Sequence, residues 1–373
     1  MAISSTQLKE LLNYKFVGVD ESFLYYHCQI KYWDRLLQYI PAWIAPNTIT
    51  LIGFIAMAMQ AGLVWYFDSE MSGNVRWLPA VSAIVMWFYS TMDCLDGMQA
   101  RKTGAKSPLG QLFDHGVDSI VCTFIIYCIS SAVGLREKKN MFFILLCAHS
   151  IFYWVTIKEY YTKVFYLGLI GPTESIALGC IFLLAISAIG KERLLFFHPW
   201  IKNNLSIIVK IASFVIGLVA TIYYIVHIAL VTGFSLQAEQ LSMKYIKIFP
   251  HMIFILIQLL TIASVLNTDS IESSLVFYPY LSIITANFSL FTTWTIFSHQ
   301  LSMYIQIPIT CTLLLLMANL VLVFMPSKKT PIFIHMLTGL SLIEYFLTIK
   351  SIISGCLSVL NIPFFFNNYP KSS

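Results

Sequence analysis

Charge is what this chain has least of. Only 11% of its 373 residues are Asp, Glu, Lys or Arg, against 58% hydrophobic residues, whereas a soluble domain carries about 25% charged residues. That balance excludes a water-soluble globular fold and predicts an all-α, polytopic membrane protein. The net charge of +5 is small and scattered, which leaves no basic face for nucleic acid. The eight cysteines fall mostly in apolar runs and form no Cys-x-x-Cys or Cys/His spacing. A zinc site is therefore unsupported, and buried free thiols are expected. No cleavable signal, internal repeat or low-complexity segment is evident in the text.

Long hydrophobic runs, by contrast, are abundant. About ten are long enough to cross roughly 30 Å of hydrocarbon, near 48–67, 77–98, 110–135, 141–161, 173–190, 205–230, 248–267, 276–298, 303–325 and 331–358. Ahead of them, residues 22–44 mix Phe23, Tyr25, Tyr26, Tyr32, Trp33, Leu36, Leu37 and Trp43 with Lys31, Asp34 and Arg35. This mixture predicts an amphipathic helix lying in the membrane interface. The expected division is a cytosolic N-terminus over 1–47, one transmembrane catalytic domain over 48–360 and a short tail over 361–373.

Orientation is weakly encoded. With a cytosolic N-terminus, Arg101, Lys102, Lys106, Lys158, Lys163, Lys244 and Lys247 lie on the cytosolic side. Arg136, Lys138, Lys139, Lys191, Arg193, Lys202, Lys328 and Lys329 lie opposite. The two sets nearly balance under the positive-inside rule. The sequon Asn204-Leu-Ser is expected in a lumenal loop; Asn287-Phe-Ser lies inside a span.

The scarce charges gather in one place. Residues 93–118 read DCLDGMQARKTGAKSPLGQLFDHGVD, between flanking runs that carry no charge. Ionisable residues at membrane depth are costly, so a cluster there points to function. Asp93 and Asp96 are three apart and Asp114 and Asp118 four apart, so each pair shares a helix face. Two such faces turned together would converge four carboxylates, which need cations to stay ionised side by side. Oxygen ligands of this kind suit Mg²⁺ or Mn²⁺. Gly97 and Ala100 allow close approach to the backbone, and Arg101 offers a fork for phosphate. His115 sits beside one candidate ligand, with a reference pKa of about 6.5 that suits a general base.

The spacing D-x2-D-G-x2-A-R-x8-G-x3-D-x3-D is filled by Asp93, Asp96, Gly97, Ala100, Arg101, Gly110, Asp114 and Asp118. It resembles the signature of the CDP-alcohol phosphotransferases at every fixed position. WIAPNTITLIG from Trp43 and SPLGQLFDHGVDS from Ser107 resemble the eukaryotic choline/ethanolamine phosphotransferase branch. The close likeness covers roughly Gln38 to Ser119.

The resemblance implies transfer of phosphocholine or phosphoethanolamine from CDP-choline or CDP-ethanolamine to diacylglycerol, with release of CMP. It implies two Mg²⁺ or Mn²⁺ ions on Asp93, Asp96, Asp114 and Asp118, and substrate contacts from Asn47, Gly97, Ala100, Arg101 and Gly110. His115 is implied as the base, although elsewhere in the superfamily the last aspartate, here Asp118, has been given that role. Asn47 or Thr48 can also be read simply as a helix cap. The site is expected to face the cytosol, in endoplasmic reticulum or Golgi membranes, with membrane lipids around it, no nucleic-acid partner, and a homodimer admitted as an assembly. Met98 departs from relatives that often carry lysine there, which keeps both aminoalcohols open. Inositol is disfavoured, because the inositol-transferring relatives are much shorter. An ion-coupled transporter, the alternative, would want dispersed acids on broken helices and an internal repeat; neither is present in the text.

Overall fold

The computed structural model describes residues 5–24, 30–168, 171–195, 198–231 and 241–365. Tyr25, Tyr26, Cys28 and most of the predicted tail lie outside the described residues, as do the side chains of Lys244 and Lys247. The main helices are α1 (Ile30–Leu37), α2 (Pro46–Asp68), α3 (Leu78–Thr103), α4 (Pro108–Val133), α5 (Lys138–Thr162) and α6 (Pro172–Ile189). They continue with α7 (Pro199–Val231), α8 (Leu241–Leu266), α9 (Ser274–Gln300), α10 (Ile309–Phe324) and α11 (Thr330–Leu360). The protein is an all-α polytopic membrane protein.

Each of the ten predicted apolar runs is a helix. Among the described residues, nine are long and apolar enough to cross a membrane. The tenth, expected over 303–325, is shorter: α10 has 16 residues, which at 1.5 Å per residue gives about 24 Å. Met303 to Pro308 ahead of it are not helical, so the apolar run overstated the helix.

The interfacial helix expected over 22–44 is also shorter. α1 holds 8 residues, and Pro41 stands in the turns that follow. Trp33 is fully buried, packed with Ile49, Leu95 and Met98, while Tyr32, Tyr39 and Trp43 are exposed. The sequon residue Asn204 belongs to the first turns of α7 rather than a loop, and its side-chain amide donates to the Trp200 carbonyl at 2.8 Å.

The chain folds as two compact units. The first is drawn from residues 1–134, 166–198 and 353–373, the second from 135–165 and 199–352. In the first unit α3 packs against α2 and α6, and α2 packs on α4. Met57, Met86, Tyr89, Val117, Val121 and Leu183 fill the space between these helices. Their ends are set by local chemistry. Pro79 and Pro108 stand in the first turns of α3 and α4, where a missing N–H costs nothing. α3 stops at Gly104, whose φ of +68° is a left-handed conformation that a side chain would resist.

In the second unit α9 is the central helix: 78% of its apolar window is buried, against 6% for α7. α9 packs on α5 and α10. Its many hydroxyls are accommodated locally; Thr285 and Thr295 donate to the Leu281 and Phe291 carbonyls one turn back, each at 2.8 Å.

Candidate active site

α3 and α4 form a helical hairpin joined by residues 104–107, and this hairpin brings the acidic faces together. The turn has little slack. The Ala105 N–H returns to the Ala100 carbonyl at 3.0 Å, and Ser107 caps α4 by accepting the Gly110 N–H on its Oγ at 3.0 Å. Asp93 near the end of α3 then meets Asp114 and Asp118 near the start of α4. One carboxylate oxygen from each lies within 4.8 Å of the others. Three half-buried carboxylates so close repel strongly unless a cation or a shared proton stands among them.

The fourth acid is placed differently. Asp96 is buried on α3 and accepts a hydrogen bond from the Thr50 hydroxyl on α2, outside the group of three. Asp118 accepts one from the Tyr89 hydroxyl. Asp114 Oδ1 is buried with no hydrogen-bond partner among the described residues. A buried carboxylate oxygen left without a donor is an expensive arrangement in a folded protein. An all-oxygen donor set that includes such an atom fits a hard divalent cation, so Asp93, Asp114 and Asp118 suit Mg²⁺ or Mn²⁺.

The remaining predicted residues surround this point. His115 is buried on α4 beside Asp114 but does not belong to the convergent group. Arg101 is exposed at the end of α3; a Cβ on Gly97 would stand 3.5 Å from its guanidinium, which therefore runs back along the helix. Ala100 is half-buried in the turn before it. Gly110 opens α4, where a Cβ would lie 3.7 Å from the Asn47 side-chain oxygen. Asn47 itself, in the first turn of α2, donates from Nδ2 to the Phe364 carbonyl at 3.1 Å, and Thr48 donates to that of Phe365 at 2.6 Å. Phe364 meets Phe113 edge to face, with centroids 5.2 Å apart. Neither Asn47 nor Thr48 makes a side-chain cap for α2. Met98 points into the Trp33, Ile49 and Leu95 contact.

Sequence reasoning missed several polar supports here. Gln99 Nε2 donates to the Pro41 and Ile44 carbonyls at 2.9 and 3.0 Å, and Lys102 Nζ to those of Leu37 and Ile40 at 2.9 and 3.2 Å. These two side chains tie the segment before α2 to the end of α3. Thr50 and Tyr89 carried no signal beyond Tyr89 standing one turn before Asp93. Glu174 stands in the first turn of α6. It accepts the Gly171 N–H at 2.9 Å and the Leu24 N–H at 3.0 Å.

Residues 43–349 match the CDP-alcohol phosphatidyltransferase family, a span that contains the hairpin and most of both units. The chain belongs to this family. It is 38% identical over 210 residues, 55% of this chain and 52% of the relative, to uncharacterized CDP-alcohol phosphatidyltransferase class-I family protein 3 of Dictyostelium discoideum. It is 33% identical over 283 residues, 73% of each chain, to the CDP-diacylglycerol–serine O-phosphatidyltransferase of Encephalitozoon cuniculi. With cholinephosphotransferase 1 of Saccharomyces cerevisiae it shares 34% identity over 194 residues, 52% of this chain and 49% of the relative. The match thus spans about half the length of several of these curated relatives. The convergent aspartates lie in the stretch that resembles the family signature.

Proposed function

We propose that this transferase moves phosphocholine, phosphoethanolamine or both from the CDP-aminoalcohol to diacylglycerol, releasing CMP. The observation that carries the reading is the convergence of Asp93, Asp114 and Asp118 across one tight hairpin. Asp93, Asp96, Asp114 and Asp118 would hold two Mg²⁺ or Mn²⁺ ions. Bound there, the ions supply neutralisation of the negative charge on the pyrophosphate and on departing CMP. Arg101 binds phosphate oxygens, and Asn47 contacts the CDP-alcohol once the Phe364 carbonyl is released from its Nδ2. Gly97, Ala100 and Gly110 leave room for the donor against the helix backbones. His115 takes the proton from the diacylglycerol hydroxyl. The freed oxygen attacks the phosphorus that carries the aminoalcohol, a new P–O bond forms, and the bond to CMP breaks.

The same reading includes a single catalytic domain over 48–360, a site facing the cytosol in endoplasmic reticulum or Golgi membranes, and a homodimer. Diacylglycerol would enter sideways from the bilayer, which suits acids at the ends of spanning helices.

A second reading has its own support. The Encephalitozoon relative named for CDP-diacylglycerol and serine matches over a larger share of this chain than the yeast cholinephosphotransferase does. Purified protein assayed with labelled CDP-choline, CDP-ethanolamine and diacylglycerol is expected to release CMP with at least one donor, only when Mg²⁺ or Mn²⁺ is present. Turnover of CDP-diacylglycerol with serine, and of neither aminoalcohol donor, would replace the first reading with the second.

A further inference from the structure

Two hydroxyls stand behind the acids. Tyr89 is 4% exposed and lies one turn before Asp93 on α3, yet its Oη crosses to Asp118 Oδ1 on α4. Thr50 is 3% exposed on α2, and its Oγ1 reaches Asp96 Oδ2 on α3. Each bond therefore joins two different helices at a candidate ligand. Each also occupies one oxygen of its carboxylate, Oδ1 of Asp118 and Oδ2 of Asp96. The donors are not free to swing. The Tyr89 ring is packed among Met57, Met86, Val117 and Val121. Thr50 is β-branched on a helix, where χ1 has few choices, and its hydroxyl also lies 3.3 Å from the Pro46 carbonyl.

A carboxylate can rotate about its χ2 and present either oxygen, or both, to an ion. A donor fixed by packing removes that freedom before the ion arrives. Partners of this kind, one shell out from a metal, are worth about 10–100-fold in affinity. We propose that Tyr89 and Thr50 are positioning residues for a divalent-cation site, fixing Asp118 and Asp96 for an incoming ion. This rests on the reading of the aspartates as ligands.

The test uses the full chain in detergent, with Mn²⁺ binding followed by the EPR signal of free Mn²⁺ and thermal unfolding followed separately in EDTA. Tyr89→Phe removes one oxygen and keeps the packed ring; Thr50→Val removes the hydroxyl and keeps the shape. Both are expected to weaken Mn²⁺ binding about 10–100-fold, and Thr50→Ser, which restores a donor, to stay within about threefold of the parent. A lower melting temperature with Mn²⁺ affinity unchanged in both variants would make the hydroxyls structural staples and overturn the proposal. A parent chain that binds no Mn²⁺ would overturn the metal reading and the proposal with it. If Thr50→Val fails to fold, Tyr89→Phe decides alone.

Discussion

At one end of α2 and α4, Asp68 is surrounded by donors. The Ser72 N–H and hydroxyl reach its Oδ1 at 2.9 and 2.6 Å; the Gly73 N–H and Ser131 hydroxyl reach its Oδ2 at 2.9 and 2.5 Å. Gly73 has φ of +63°, and a Cβ there would lie 2.8 Å from the Ser131 carbonyl, so the loop closes only on glycine. At the other end, Asp93, Asp114 and Asp118 face one another, and Asp114 Oδ1 has no donor among the described residues. Both ends place acid in the same helical bundle, buried at Asp68 and half-buried at the cluster. Where every lone pair is answered, the acid staples helices together. Where acids converge on one another, the fold holds a costly arrangement of the kind that strained functional sites commonly hold.

The contrast breaks most sharply at Asp114. Asp114→Asn and Asp93→Asn are each expected to lower CMP release at least about 100-fold, because a misplaced ion or substrate misaligns the reacting atoms. The same Asp114→Asn chain, melted in EDTA, is expected to unfold at a higher temperature than the parent, since one of three converging charges is gone. A lower melting temperature would mean that the cluster, like Asp68, is a structural asset.

His115→Ala comes next. Loss of a general base is expected to lower kcat by about 10²–10⁴-fold, with CDP-alcohol affinity nearly unchanged because the loss falls on the chemical step. Near-normal turnover would return the proton to Asp118 or to water.

Asp68→Asn sharpens the other side of the comparison. The amide turns one acceptor oxygen into a donor that faces donors, a mismatch worth about 1–3 kcal/mol of stability. The variant is expected to melt earlier while turnover per folded molecule stays at the parental level; a large fall in turnover would tie the two ends together. The smallest effect belongs to Glu174→Ala. It removes the acceptor for the Gly171 and Leu24 N–H groups at the start of α6 and is expected to cost about 0.5–2 kcal/mol, read as an earlier melt with unchanged CMP release.

Hydropathy and spacing made much of this molecule legible. All ten apolar runs are helices, because a span must be apolar over its length whatever it packs against. The acids announced themselves through their rarity, and their three- and four-residue intervals describe one helix face each. What escaped depends on partners distant in sequence. Thr50 and Asp96 are 46 residues apart, and Tyr89 and Asp118 are 29 apart, and no local pattern records such a meeting. Asp68 was passed over for the same reason: one acid at a span end looks solvated until Ser131 is brought to it. Two histidines in the second unit show the same limit. His251 lies between the Tyr153 and Tyr161 hydroxyls at 2.9 and 3.0 Å, and His149 stacks on Phe288 at 3.7 Å. The overlong N-terminal helix failed differently. Its aromatic content is real, but Pro41 limits how far a helix can run, and Trp33 is spent on the protein's own core.

The turn at 104–107 also works as a ruler. Gly104 and Ala105 are both tied back to Ala100, and Ser107 is tied forward to Gly110, so an added residue has nowhere to bulge without cutting one of these ties. If it were absorbed into α4 instead, Asp114 and Asp118 would swing by about 100° around the helix axis and lose sight of Asp93. The chain can therefore change what it writes between Arg101 and Gly110 far more readily than how long it takes to write it. In such a site, counting residues measures a distance.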